Sequence, residues 1–288
     1  MGLCLPGSRT VSCRCLRIWD WNMNEARVWE ADMGEKYVLV CEDSIDGIFT
    51  GVYDGWKLGN CGTRVELCVE MSGQAELFSQ YMVIEADREK AAKVAGTIQK
   101  RLGQEVYEQL CYAACSTDEQ KGTCIYYALR EGLSGGNANP RVLENLRNPY
   151  ILKISRIQLA VWHEMHRFLG FVRFRELSNG VLFSVICPDY AVLPLIAPHF
   201  ADRLPGENWV IYDEKRRDAL VHPAGGEWYI RRQVEVEPCQ GEKVRGEEQY
   251  EGLWKEFCGS ITVQERRNQR RQSQNLPIKY RKHLTEFC

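Results

Sequence analysis

The 288-residue chain lacks a strong charge of either sign: 37 Lys and Arg stand against 39 Asp and Glu, a formal net charge of −2. Any grip on nucleic acid must therefore come from a local basic patch. No stretch approaches the ~20 apolar residues that cross a bilayer as a helix. Residues 1–32 carry no signal-peptide apolar core. A cytoplasmic protein with no membrane partner is expected. A P-loop, a GxGxxG turn and a Ser/Cys–His triad are all missing, so no cofactor is expected.

Cysteine is not scarce, but paired spacings are. The 13 cysteines are scattered, and Cys41, Cys68, Cys111, Cys124 and Cys187 sit inside apolar runs, the pattern of free thiols in a reducing compartment. Cys13-Arg14-Cys15 is too close for a zinc knuckle. Cys111 and Cys115 form CxxxC without the third cysteine of a cluster loop. No metal set is expected.

Hydrophobic (44%) and charged (26%) contents suit a globular chain burying one large core or two small ones. Residues 1–33 read as a loose extension. The stretches 36–41, 64–70 and 80–86 read as strands, and a helix to about Trp56 follows a polar cap at Asp43/Ser44. Asp87 caps a run with Ala91, Val94, Ala95, Ile98 and Leu102 at helical spacing, stopping at Gly103. Further helices are expected over 104–115, from the Thr117/Asp118 cap, and briefly after Pro140. A long helix is expected over 149–170, then a hairpin around Ser178-Asn179-Gly180. The "PDYAVLPLIAPHFADRLP" stretch reads as a helix, or as two helical turns, broken by Pro194 and Pro198. Three more strands, "WVIYD", "DALVHP" and "EWYIRR", follow. Helices and strands do not alternate regularly, which favours α+β with a largely antiparallel sheet and a central helical block. The expected units are 34–79 as an N-terminal α/β segment, 80–233 as the main domain, 234–249 as a linker and 250–288 as a basic C-terminal segment.

The stretch "VWHEMHRFLGFVRFRELSNGVLF" (161–183) concentrates histidine, arginine and phenylalanine. On the long helix Ile154, Ile157, Val161, Met165 and Phe168 form the core stripe, and Arg156, Ala160, His163 and Arg167 the opposite one. Beyond it Val172 and Phe174 should point one way and Arg173 and Arg175 the other, with Arg167 and Arg173 close together. Three readings stand open. H-E-M-H falls one residue short of the zincin spacing, but His163 and His166 could share a metal, with no third ligand apparent nearby. The charges are solvated beside Glu164 and Glu176. Or the arginines form a phosphate-contacting face.

A second basic element lies between Glu265 and His283, where Arg266, Arg267, Arg270, Arg271, Lys279, Arg281 and Lys282 face one carboxylate. It is a solvated tail or a nucleic-acid contact, with Asn268 interleaved and Tyr280 free to stack on a base. Pro188-Asp189 followed by Asp213-Glu214-Lys215 resembles the PD…(D/E)xK arrangement, in which two carboxylates hold a divalent ion and lysine assists the attacking water. A metal-dependent nuclease or a base-processing hydrolase built on Asp189, Asp213, Lys215 and His199 is the enzymatic alternative. A scaffold that touches only protein is the third.

Four stretches, "DGIFTGVYDGW" (46–56), "VWHEMHRFLGFVRF" (161–174), "PDYAVLPLIAPHFADRLPGENWVIYDEKR" (188–216) and the tail 253–286, resemble a bacterial family of DNA metabolism and DNA repair proteins. That family is built on a domain of unknown function. The resemblance covers about residues 34–286. It implies an accessory role in DNA repair and a radical-SAM DNA modification or repair protein as partner. Some relatives carry a uracil-DNA glycosylase-type domain after the shared one, and no such domain is expected within these 288 residues. The family establishes no catalytic residues. The motif positions carried over as candidates are Glu164, His166, Arg167, Arg173, His199, Asp202, Arg203, Asp213, Arg267, Asn268 and Tyr280.

Overall fold

A computed structural model describes residues 36–59, 63–69, 79–134, 138–235, 270, 274, 276–282 and 284. The expected extension (1–33) and nearly all of the linker and basic segment lie outside them. The chain is α+β.

The first core starts from an apolar strand, β1 (Lys36–Cys41), followed by helix α1 (Ile45–Gly59) and strands β2 (Arg64–Cys68) and β3 (Ser79–Ile84). Ser44 Oγ accepts from the Gly47 N–H at 2.9 Å, so the expected polar cap does open α1. The three strands are ordered β2-β1-β3 and are parallel throughout. That departs from the expected antiparallel preference, because a helix returns the chain from β1 to β2. Gly51 brings α1 onto the sheet: a Cβ there would lie 2.2 Å from Cys41 Sγ.

Helices α2 (Arg88–Arg101), α3 (Gln104–Ala114) and α4 (Lys121–Leu133) complete this half. Asp87 caps α2 as expected, accepting from the Glu89 and Lys90 amides. Helix α4 begins three residues beyond Asp118, because Asp118 Oδ1 accepts from the Gln120 N–H and holds a turn ahead of it. A single 3-10 turn, Val142–Glu144, stands where a short helix was expected.

Helix α5 (Pro149–Phe171) joins the two halves. Asn148 caps it, and Pro149 sits in the first turn, where its missing N–H costs nothing. Ile151 and Ile154 enter the first core; Met165 and Phe168 enter the second. The second half holds β4 (Arg175–Glu176), β5 (Leu182–Ile186), α6 (Leu193–Arg203), β6 (Trp209–Asp213), β7 (Asp218–His222), β8 (Tyr229–Arg231) and a short α7 (Ile278–Arg281). Its sheet, β4-β5-β6-β7-β8, is antiparallel at every pairing but β5–β6, which α6 connects in parallel.

The expected hairpin forms, and two local expectations shift. The hairpin forms around Ser178-Asn179-Gly180, closed by Leu177 N–H to Val181 O (2.9 Å), with Gly180 at φ 78°. Its first strand is only Arg175–Glu176, because Val172 caps α5 and Phe174 folds onto Phe200 at 5.5 Å. Helix α6 is unbroken: Pro194 lies in its first turn, and Pro198 forfeits one backbone hydrogen bond while its ring faces solvent.

Candidate nucleic-acid interface

Over its last three turns α5 buries one side and exposes the other. Leu159, Trp162, His163 and His166 are exposed together with Arg156, a stripe generated by steps of three and four residues. The Trp162 indole stacks on His166 (centroids 5.1 Å, interplanar 10°) and meets His163 edge-on at 5.1 Å. Among the 23 residues of α5 the one acid is Glu164, and it is only 2% exposed. The solvent face of the helix thus carries an arginine, two imidazoles and an indole without a carboxylate of its own.

One of the three readings placed Glu164 beside those charges in solvent. The side chain lies instead at the rim of the second core, and groups distant in sequence satisfy it. Oε2 accepts from the Tyr190 N–H at 2.8 Å; Oε1 accepts from the Tyr280 hydroxyl at 2.7 Å and from Lys279 Nζ at 3.2 Å. Tyr280, expected free to stack on a base, is 5% exposed. Its ring packs edge-on against Phe168 at 5.2 Å, and the Arg167 guanidinium lies 5.9 Å from its centroid. Tyr280 anchors α7 and has no open face for a base. Burial, then its bond to Glu164, raises the hydroxyl's pKa.

Lys279 reaches Asp189 as well as Glu164. Burial works against the Lys279 charge, but hydrogen bonds to Asp189 and Tyr280 outweigh it and raise its pKa. The same bond to Lys279 holds the Asp189 carboxyl below its ordinary range. The sign follows from these directions. The Asp189 contribution to α7 docking is complete above about pH 4 and is lost as pH falls through its lowered value; the Lys279 contribution is complete below about pH 10 and is lost as pH rises through its raised value. The stability difference between wild type and Asp189→Asn, read from denaturant midpoints, is expected to hold steady between those limits and shrink toward zero in acid. A difference that persists unchanged near about pH 2 would contradict the pairing.

The parallel strands β5 and β6 end beside this anchor. Asp213, fully buried, accepts from the Lys215 and Arg216 amides at 2.9 and 3.2 Å and pairs with Arg216 at 3.2 Å. Burial raises its pKa against the pull of Arg216. Arg216 also donates to the carbonyls of Pro188 (3.2 Å) and Asp189 (2.5 Å). Lys215 Nζ lies 3.9 Å from Asp189 Oδ1. The PD…DxK residues therefore meet, but Asp213 spends both oxygens on a turn and an arginine, and Asp189 faces two lysines. Arg216 and Lys279, which tie this corner together, carried no sequence signal beyond their charge.

The remaining candidates divide between internal and exposed roles. Arg173 turns back onto the carbonyls of Gly170 (2.7 Å) and Val172 (3.2 Å), a cation at the carboxyl end of α5. Arg167 thus faces Tyr280 while Arg173 caps the helix. Arg175 and Arg203 are exposed, and Arg175 covers the Phe183 ring at 5.4 Å. Among the described residues no carboxylate pairs with Arg156, Arg175 or Arg203. His199 is half-buried against Phe200, and Asp202 is exposed. Arg267, Asn268 and Arg271 lie outside the described residues. No group of three or more His, Cys, Asp and Glu among the described residues is arranged to hold a metal. Burial pushes the thiols of Cys111 and Cys124 up to about 11 and that of Cys41 to about 12. They remain thiols, neither nucleophiles nor ready ligands.

These features define a class: an α+β protein with two cores and one long joining helix that shows solvent an aromatic, basic face. No helix among the described residues is long and apolar enough to cross a membrane. The chain belongs to the family of the domain of unknown function DUF4130, whose model matches residues 119–286 and so takes in α4, α5 and the whole second core. A search of curated proteins finds no match.

Proposed function

We propose that the protein binds nucleic acid through the exposed face of α5 and acts in DNA repair or DNA metabolism as an accessory factor, together with a radical-SAM partner. The observation that carries the binding is the composition of that face: Arg156, His163 and His166 exposed around Trp162, with the single carboxylate of the helix buried on the other side. A near-neutral protein holds a polyanion by such local charge, releasing counterions as each phosphate is neutralised. Arg175 and Arg203 extend the cationic surface beyond the helix. The DNA-repair context and the radical-SAM partner rest on the family resemblance of the motifs alone.

The hydrolase alternative draws on the approach of Lys215 to Asp189 at 3.9 Å. Purified protein incubated with single- and double-stranded DNA in Mg²⁺ or Mn²⁺ is expected to shift the substrate and leave it intact. Cleavage that disappears in Lys215→Ala, a half-exposed side chain, at unchanged melting temperature would establish the hydrolase instead. Affinity for the radical-SAM partner with none for DNA at low salt would establish the protein-only scaffold.

A further inference from the structure

The α5 face contains more than charge. Trp162 is 36% exposed and Leu159 49% exposed, on a helix surface they share with exposed Arg156, His163 and His166. An indole left in water on a rigid helix, with one imidazole stacked on it and a second set edge-on, is an apolar plane held in fixed orientation. Arg156 lies on the same stripe and pairs with no carboxylate among the described residues. The complement of such a surface is an anion that also offers flat apolar faces.

Unpaired nucleobases on a phosphodiester chain meet both requirements. A duplex meets one, because its base faces are stacked on each other and hidden. We infer that Trp162, oriented by His163 and His166, is a base-stacking platform and that the protein prefers single-stranded nucleic acid to duplex. This rests on the nucleic-acid reading above and narrows its substrate. Stacking on an aromatic ring tolerates every base, so the preference is for strandedness and not for sequence. An acidic protein surface would satisfy the arginine but would leave the indole without a planar partner.

The test is fluorescence anisotropy with one labelled single strand and the blunt duplex of the same sequence, at about 50 mM salt, where phosphate contacts are strong. The single strand is expected to bind at least about tenfold more tightly. Trp162→Leu, which keeps bulk and apolar packing without a π-face, is expected to lose on the order of tenfold to a hundredfold on the single strand and little on the duplex. Trp162→Phe, which keeps a ring, is expected to retain most of the preference. Arg156→Ala is expected to weaken both ligands alike. Equal binding of strand and duplex, or a folded Trp162→Leu protein that binds the strand normally, overturns the platform and leaves nucleic-acid binding standing. Absence of binding to either ligand overturns both.

Discussion

Glu164→Ala is expected to destabilise the second half of the protein by about 2–4 kcal/mol, at the upper end of what a single buried polar deletion costs. The carboxylate accepts three hydrogen bonds, from Tyr190, Tyr280 and Lys279, while its own side chain is 3% exposed. Truncation leaves the Tyr280 hydroxyl and the Tyr190 amide without an acceptor in a dry site. The lysine contributes less, since it is 43% exposed and water screens it. The same substitution is expected to release α7, because Tyr280 and Lys279 are its attachments to α5. Denaturant unfolding should show a lower midpoint, and limited proteolysis should remove the C-terminal segment faster than from wild type. Glu164→Gln, which retains one acceptor oxygen, should fall between the two. A Glu164→Ala protein with wild-type stability and an undigested C terminus would mean that the anchor does not hold.

Trp209→Ala should cost as much or more, about 3–5 kcal/mol for a large aromatic removed from a packed core. Trp209 is fully buried on β6, stacked on His222 at 4.9 Å and 6°, tilted against Phe174 and edge-on to Phe200, each at 6.2 Å. It joins the central strand, α6 and the segment carrying Arg173 and Arg175. The cavity left behind has rigid walls on the sheet side, so little of it can collapse. Trp209→Phe keeps a ring and should recover more than half of the loss. A midpoint for Trp209→Ala within experimental error of wild type would show that this core is not the structural unit described.

Local chemistry made much of this fold readable. Asp87 opens α2 because a carboxylate before an apolar run caps free amides, and Ile154, Val161, Met165 and Phe168 are buried because they share one stripe. The Asn-Gly pair produced its hairpin. What stayed hidden depends on partners far along the chain. Glu164 falls three residues after Val161 and four before Phe168, a spacing that places it beside the core. Yet its partners lie 26 to 116 residues away, and only folding brings them. Lys121 is similar: it is 1% exposed and paired with Asp43 at 2.5 Å across 78 residues. The parallel β2-β1-β3 sheet was hidden for the same reason, since β3 joins the far edge of β1 rather than its neighbour in sequence.

The candidate interface was half legible. The stripe of Arg156, His163 and Arg167 follows from helical spacing, but its charges proved unequal: Arg167 faces Tyr280, whereas Arg156 faces water. Arg173 looked like a surface cation and is a helix cap. Trp162 escaped notice because an indole beside a core stripe is ordinarily buried.

The most direct test of nucleic-acid binding through α5 is a salt titration of single-strand affinity for wild type and Arg156→Ala. Wild-type affinity should fall linearly on a log–log scale, and losing one phosphate contact should flatten that slope by about 0.7. The melting temperature should not move, because an exposed arginine contributes little to stability. A wild-type protein with no measurable affinity at about 20 mM salt, or an Arg156→Ala slope identical to wild type, would contradict binding at this face.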